Sequence, residues 1–176
     1  MGKILKVNFF NRDTEVVAQE LLGKLLVRRI GEKEISAMIT ETEAYDSLDD
    51  LASHASKGRT GRTEVMFGKP GNFYVYLVYG MYFMLNVVTR EKDYPAAVLI
   101  RGVKLQNANL NGPGKITNFF KIDKNLNSKV AGTSSGLWFE DRGVEVSQGK
   151  VKKLPRVGVA YAGPVWSVKK RRFLLL

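Results

Sequence analysis

Near the start of the chain Val17, Ala18, Leu21 and Leu22 recur at helical spacing, which predicts a helix over about Thr14 to Leu22. Asp13 or Thr14 can cap it and Gly23 can stop it. The period then changes. Lys24 to Ile30 is apolar and β-branched, Gly31 to Lys33 supplies a turn, and Glu34 to Tyr45 alternates with period two, so a strand pair follows the helix. The run SLDDLASHAS after Asp46 suits a short helix with Ser47 and Asp50 in capping-box spacing, and Lys57 to Arg62 reads as a loop. Strands Phe73 to Val78 and Tyr82 to Thr89 flank a tight turn at Tyr79, Gly80 and Met81 that projects its tip side chains away from the sheet. A strand from Ala96 to Leu105 comes next. Asn111-Gly-Pro-Gly114 then introduces a short helix ending near Phe120, and Lys121 to Ser135 is polar and loose. Strands near Leu137 to Phe139, Val144 to Val146, Arg156 to Tyr161 and Arg172 to Leu175 complete an α+β pattern in one domain, with antiparallel sheet dominant.

In the strand from Glu34, alternation places Ile35, Ala37 and Ile39 on one face and continues that face through Glu41 and Glu43. A carboxylate at the mouth of an apolar face is desolvated, which raises its pKa and suits it to take a proton from water. The same two acids could instead pair with arginines beyond the sheet edge. Geometry argues against a pair of carboxylates flanking a sugar linkage, since side chains two apart on one strand point the same way and cannot easily approach one bond from opposite sides, though one of them can still act as a lone base.

Composition narrows the chemistry. With no cysteine and one histidine, zinc sets of thiolates and imidazoles cannot be assembled, so zinc deaminase chemistry is excluded and any catalytic metal would need oxygen ligands. The opening residues are too polar for a secretory signal and no apolar run reaches the length of a membrane span, which predicts a soluble, intracellular protein. Twenty-eight Lys and Arg against 17 Asp and Glu give a formal charge of +11, a statement about polyanionic partners. Basic residues gather at Lys57, Arg59 and Arg62, from Lys150 to Arg156, and at Lys169 to Arg172. Against that charge the run FYVYLVYGMYF, with four tyrosines and two phenylalanines, reads either as a core hairpin or as a platform on which bases stack. His54 alone is a satisfied residue or a group that can read a purine edge with one hydrogen bond.

Taken together, Glu41-Thr-Glu-Ala-Tyr45, Ala52-Ser-His54, Arg62 to Gly71, Tyr74 to Tyr82 and Asn86 resemble the alkyladenine (3-methyladenine) DNA glycosylase family. The likeness continues in family order through Val98 to Arg101, Gly112 to Lys115 and Arg156 to Gly163. It implies a single domain over residues 1–176 with a curved, mainly antiparallel sheet, flanking helices and a protruding β-hairpin. It also implies a monofunctional base-excision repair enzyme, acting as a monomer without cofactor or metal on double-stranded DNA that carries an alkylated or deaminated purine. Such an enzyme works where the DNA is, in cytoplasm and nucleoid or in a nucleus.

By the same resemblance Glu43 is the general base that activates water, and Arg101 and the backbone carbonyl of Val157 help to hold that water. The flipped base is stacked between Tyr45 on one side and His54 with Tyr76 on the other, and Asn86 crowds the 2-amino group of guanine. Tyr79, with Met81 and Tyr82 around it on the hairpin, enters the gap left in the duplex. Two departures stand out. The stretch between Arg101 and Gly112 is shorter than the family pattern, which implies a trimmed helix, and Pro164 and Val165 follow Gly163 where the family usually has an acid. Two rival readings use the same features: a non-catalytic RNA-binding or ribosome-associated basic module, and a hydrolase of free nucleosides.

Overall fold

The computed structural model describes residues 2–176. Its first half runs β1 (Lys3–Ile4), α1 (Val7–Phe10), α2 (Thr14–Glu20), β2 (Leu25–Ile30), β3 (Lys33–Asp46), β4 (Phe73–Val78) and β5 (Tyr82–Val88). The second half adds β6 (Ala96–Lys104), β7 (Asn109–Asn111), α3 (Pro113–Phe119), β8 (Leu137–Asp141), β9 (Val151–Leu154), α4 (Gly163–Trp166) and β10 (Arg172–Leu175). The strands form one sheet in the order β1-β8-β2-β3-β6-β5-β4, with β7 beside β6, β10 beside β3, and β9 beside β10. Every pairing is antiparallel, as the α+β expectation required. No helix among the described residues is long and apolar enough to cross a membrane.

Helix α2 starts where Asp13 was expected to cap it: the carboxylate accepts the Glu15 and Val16 N–H groups, satisfying two donors that have no partner in the first turn. It buries Val17 and Ala18 in the same cluster as Ile39, Ile100, Phe139 and, from α3, Ile116. This is the main core, and it lies on one face of the sheet.

The face opposite is set by an irregularity between β3 and β6. Ile39 pairs with Val103, Glu41 with Gly102 and Thr42 with Ile100, so Thr40 and Arg101 each stand without an opposite residue. Each is a β-bulge, an extra residue that bends the strand and re-aims the side chains after it. The unbroken stripe expected from Ile35 through Glu43 therefore ends at Thr40. Ala37, Ile39 and Ala44 lie in the core, and Thr42 Oγ1 donates to the Ala18 carbonyl at 2.8 Å on that same side. Glu41, Glu43 and Tyr45 consequently face away from the core. Opposite Glu41, a Cβ on residue 102 would come within 2.8 Å of the Glu41 Cβ, so only glycine lets β6 close over this acid.

Several local expectations give way to tertiary contacts. Residues 47–53 form turns rather than a helix; Ser47 takes a left-handed φ of 77°, and the Asp50 carboxylate is claimed by Arg156 instead of a helix cap. Helical structure begins only at a 3-10 turn, His54–Lys57, whose Ser53 hydroxyl accepts from the Ala55 N–H. Val144 and Val146 make no strand; both side chains pack against Gly23. Arg156 to Tyr161 is a turn with Gly158 at φ 73°, and the strand instead falls earlier, at β9. Within the polar stretch after Lys121, Ile122 and Leu126 are buried in the main core. The short segment after Arg101 carries no helix: β6 turns directly into β7.

Candidate active site

Glu43 is the fully buried acid of the face opposite the core. Its Oε2 accepts the Tyr45 hydroxyl at 2.7 Å, its Oε1 accepts the Val157 N–H at 2.9 Å, and Arg101 Nε stands 3.5 Å from Oε1. Burial raises its pKa, against lowering by the Val157 N–H, Arg101 and the Tyr45 hydroxyl; Glu41 adds a smaller upward push. A carboxylate offers about four acceptor positions, so two hydrogen bonds leave room for a water O–H. Glu41, next along the same face, binds Arg101 Nε at 3.2 Å and Arg172 Nη1 at 2.9 Å through one oxygen.

Beside Glu43 lies a cavity of about 40 Å³ lined by Tyr45, His54, Tyr74, Tyr76, Asn86 and Tyr161, among others. It has room for a few waters at ~10 to 15 Å³ each, and a purine can enter only if its walls separate. His54 packs edge-on against Tyr76 with centroids 4.7 Å apart, and Tyr76 lies 5.0 Å from Tyr74. The imidazole Nδ1 is 3.1 Å from the Tyr74 hydroxyl. Burial, Arg62 and Lys57 hold the His54 pKa down to about 4, so the ring is neutral at pH 7. Asn86 is buried at the cavity wall, its side-chain N–H groups donating to the Tyr74 carbonyl at 3.2 Å and the Met84 carbonyl at 3.4 Å.

Behind Tyr45 stands a group that sequence spacing did not single out. Arg156 grips the buried Asp50 through two bonds of 2.5 and 2.8 Å, donates to the Ala44 carbonyl at 2.9 Å, and lays its guanidinium 4.7 Å from the Tyr45 ring centre. Arg171 adds a third contact to Asp50 at 3.2 Å. Two of the basic clusters are therefore partly internal: Arg156 and Arg171 neutralise Asp50 and Arg172 neutralises Glu41. Lys57, Lys152, Lys153 and Lys170 remain exposed. Pro164 stands in the first turn of α4, which sets Trp166 against the small cluster of Ala52, Val159 and Ala162 on which Tyr45 also packs.

The structure thus brings Glu43, Arg101, Val157 and Tyr45 together, with His54, Tyr76 and Asn86 around the adjoining cavity. It is the Val157 N–H that meets the carboxylate. At the hairpin tip Tyr79 is 88% exposed in a left-handed turn (φ 52°) that Gly80 continues at φ 66°, and the Met81 N–H closes the turn on the Val78 carbonyl. Met81 is exposed beside it. Tyr82 differs from the other two: its ring rests against Gly114 at the start of α3 and it is only half exposed.

A family model described as Methylpurine-DNA glycosylase matches residues 8–175. A protein of Methanocella arvoryzae is 43% identical over 176 aligned residues, covering 91% of this chain and 86% of its own length. One of Wolbachia pipientis wMel is 52% identical, covering 72% of this chain and 69% of its own. A third, from Rickettsia conorii, is 51% identical with 70% and 68% covered. All three carry the name "Putative 3-methyladenine DNA glycosylase".

Proposed function

The chain belongs to the methylpurine-DNA glycosylase family, and from that premise we propose how it works: it turns an alkylated purine out of duplex DNA and hydrolyses the N-glycosyl bond with a water activated by Glu43. The activity, that of a hydrolase of N-glycosyl bonds in DNA, comes with the family. The observation that carries the mechanism is a fully buried carboxylate hydrogen-bonded to Tyr45, itself a wall of an aromatic cavity, on the face of the sheet opposite the core.

In this reading Glu43 takes the proton of a water that attacks the sugar C1′, and Arg101 and Val157 fix the carboxylate through the contacts already given. The purine enters between Tyr45 and the pair His54 and Tyr76, which widens the cavity and replaces the Tyr45 bond to Glu43 by stacking. Stacking of ~1 to 3 kcal/mol per base offsets the few kcal/mol of unstacking. Alkylation at N3 or N7 leaves a positive charge that the aromatic faces favour and that makes the purine a good leaving group, so one base suffices. A neutral His54 adds no opposing charge. Asn86, locked by its two backbone carbonyls, crowds the 2-amino group of guanine. Tyr79, with Met81, fills the space vacated in the duplex, and Tyr82 supports the hairpin against α3.

The direct test is a duplex with a single 1,N6-ethenoadenine or 3-methyladenine. Purified protein is expected to convert it to a duplex with an alkali-labile abasic site and no strand break, with affinity falling steeply as salt rises. No release at stoichiometric enzyme sinks the reading and favours a binding module. Release from free nucleosides at a rate insensitive to salt favours the nucleoside hydrolase.

Tyr79→Ala probes the hairpin separately. It touches no residue around Glu43, so it should weaken binding to a paired lesion duplex by roughly ten- to a hundredfold, the equivalent of ~1 to 3 kcal/mol of lost stacking. Excision from a lesion in single-stranded or bulged DNA should change far less. Equal losses on both substrates would assign Tyr79 no part in base eversion.

A further inference from the structure

Arg101 is shared between two carboxylates, and the sharing is uneven. Its Nε makes a hydrogen bond to Glu41 Oε1 at 3.2 Å and stands 3.5 Å from Glu43 Oε1. Arg172 Nη1 reaches the same Glu41 oxygen at 2.9 Å, while Arg172 Nε is anchored on the Pro155 carbonyl at 2.8 Å. Two cations therefore converge on Glu41, whereas Glu43 receives its two hydrogen bonds from neutral donors, the Val157 N–H and the Tyr45 hydroxyl, and Tyr45 is the one that lines the cavity. The backbone builds this arrangement. Alternation keeps both acids on one face, the bulge at Thr40 makes it the face opposite the core, the bulge at Arg101 brings its side chain to them, and Gly102 leaves space for Glu41 beneath β6.

Building on the reading of Glu43 as the base, we propose that Glu41 is a positioning residue: it holds the Arg101 guanidinium off Glu43, so that the buried carboxylate is restrained by a cation without being neutralised by it. A carboxylate closely paired with arginine sits about one to three pH units lower and is the weaker base by that amount. The groups facing Glu43 are Glu41 and Tyr45 from β3, Arg101 from β6, Tyr76 from β4, Arg172 from β10, and Arg156, the Val157 N–H and Tyr161 from the turn that follows β9. Arg101 is the cation nearest to it, and Glu41 and Arg172 decide how much of that cation Glu43 feels.

The test is the pH dependence of single-turnover excision on one lesion duplex, measured for wild type, Glu41→Gln, Arg172→Gln and, as control, Glu43→Gln. Without the Glu41 charge Arg101 moves onto Glu43, and the acid limb of the profile is expected about one pH unit lower, with a several-fold slower plateau. Without Arg172 the unbalanced Glu41 draws Arg101 away from Glu43, and the limb is expected to move up. Opposite shifts are the signature; a role in folding alone predicts loss of active enzyme with no shift in either variant. Should Glu41→Gln fail to fold, the Arg172→Gln limb decides by itself. Unmoved limbs alongside an inactive Glu43→Gln overturn the proposal and leave Glu43 as base. A Glu43→Gln enzyme that excises like wild type overturns the underlying reading.

Discussion

Glu43→Gln is expected to lower single-turnover excision by roughly 10²- to 10⁴-fold, the usual contribution of a general base, while lesion-duplex affinity stays within about threefold. The amide keeps the shape of the side chain and can still accept the Val157 N–H, so the aromatic cavity persists without a group able to take a proton. Stability should move the other way. The folded state raises the Glu43 pKa, so the carboxylate's burial cost is absent below the unfolded value of about 4.5 and fully present above the raised one. The variant should therefore be at least as stable as wild type at pH 7 in urea melts, and any advantage should vanish toward pH 4. Wild-type excision should show an acid limb above the ordinary carboxylate range for the same reason. Undiminished excision by Glu43→Gln would remove the general base from the mechanism.

Arg156→Leu carries the largest expected stability loss. Asp50 and the Arg156 guanidinium are both fully buried, and removing Arg156 leaves the Asp50 charge in a low-dielectric interior with Arg171 at 3.2 Å as its remaining cation, beside the Asp46 and Ala52 N–H groups. Breaking such a pair costs about 3 to 5 kcal/mol, a large share of the ~5 to 15 kcal/mol that holds a domain folded. Urea unfolding should show the midpoint fall accordingly. Adding Asp50→Asn should restore much of the loss, because the stranded charge goes with its partner. Excision by the folded fraction should also drop, since Arg156 backs the Tyr45 ring and Tyr45 in turn bonds Glu43. A midpoint unchanged by Arg156→Leu would mean that water reaches Asp50.

What sequence spacing reveals here depends on how far apart the interacting residues lie. The α2 cap at Asp13, the hairpin turn at Gly80 and the two strands that flank it are local physics, fixed by neighbours within a few positions, and they fold as read. Asp50 shows the limit. Its spacing from Ser47 satisfies a capping box, yet a guanidinium 106 residues away outcompetes the cap because a buried ion pair with two bonds outweighs one exposed backbone contact. The Val144 to Val146 run fails likewise: an alternating stretch becomes a strand only where a ladder partner is available, and here the valines close over Gly23 instead.

By itself the chain's order of residues determined that an acid would follow the apolar strand, that a tyrosine-rich hairpin would carry an exposed tip, and that family motifs run through nearly all of its length. Only the tertiary structure decided which side of the sheet the acids occupy. Alternation along one strand cannot register a bulge, because the extra residue at Thr40 is defined by what fails to face it on β6. That single slip separates Glu43 from the core and sets it beside the cavity, and the strand β10, arriving from the far end of the chain, supplies the arginine that binds Glu41.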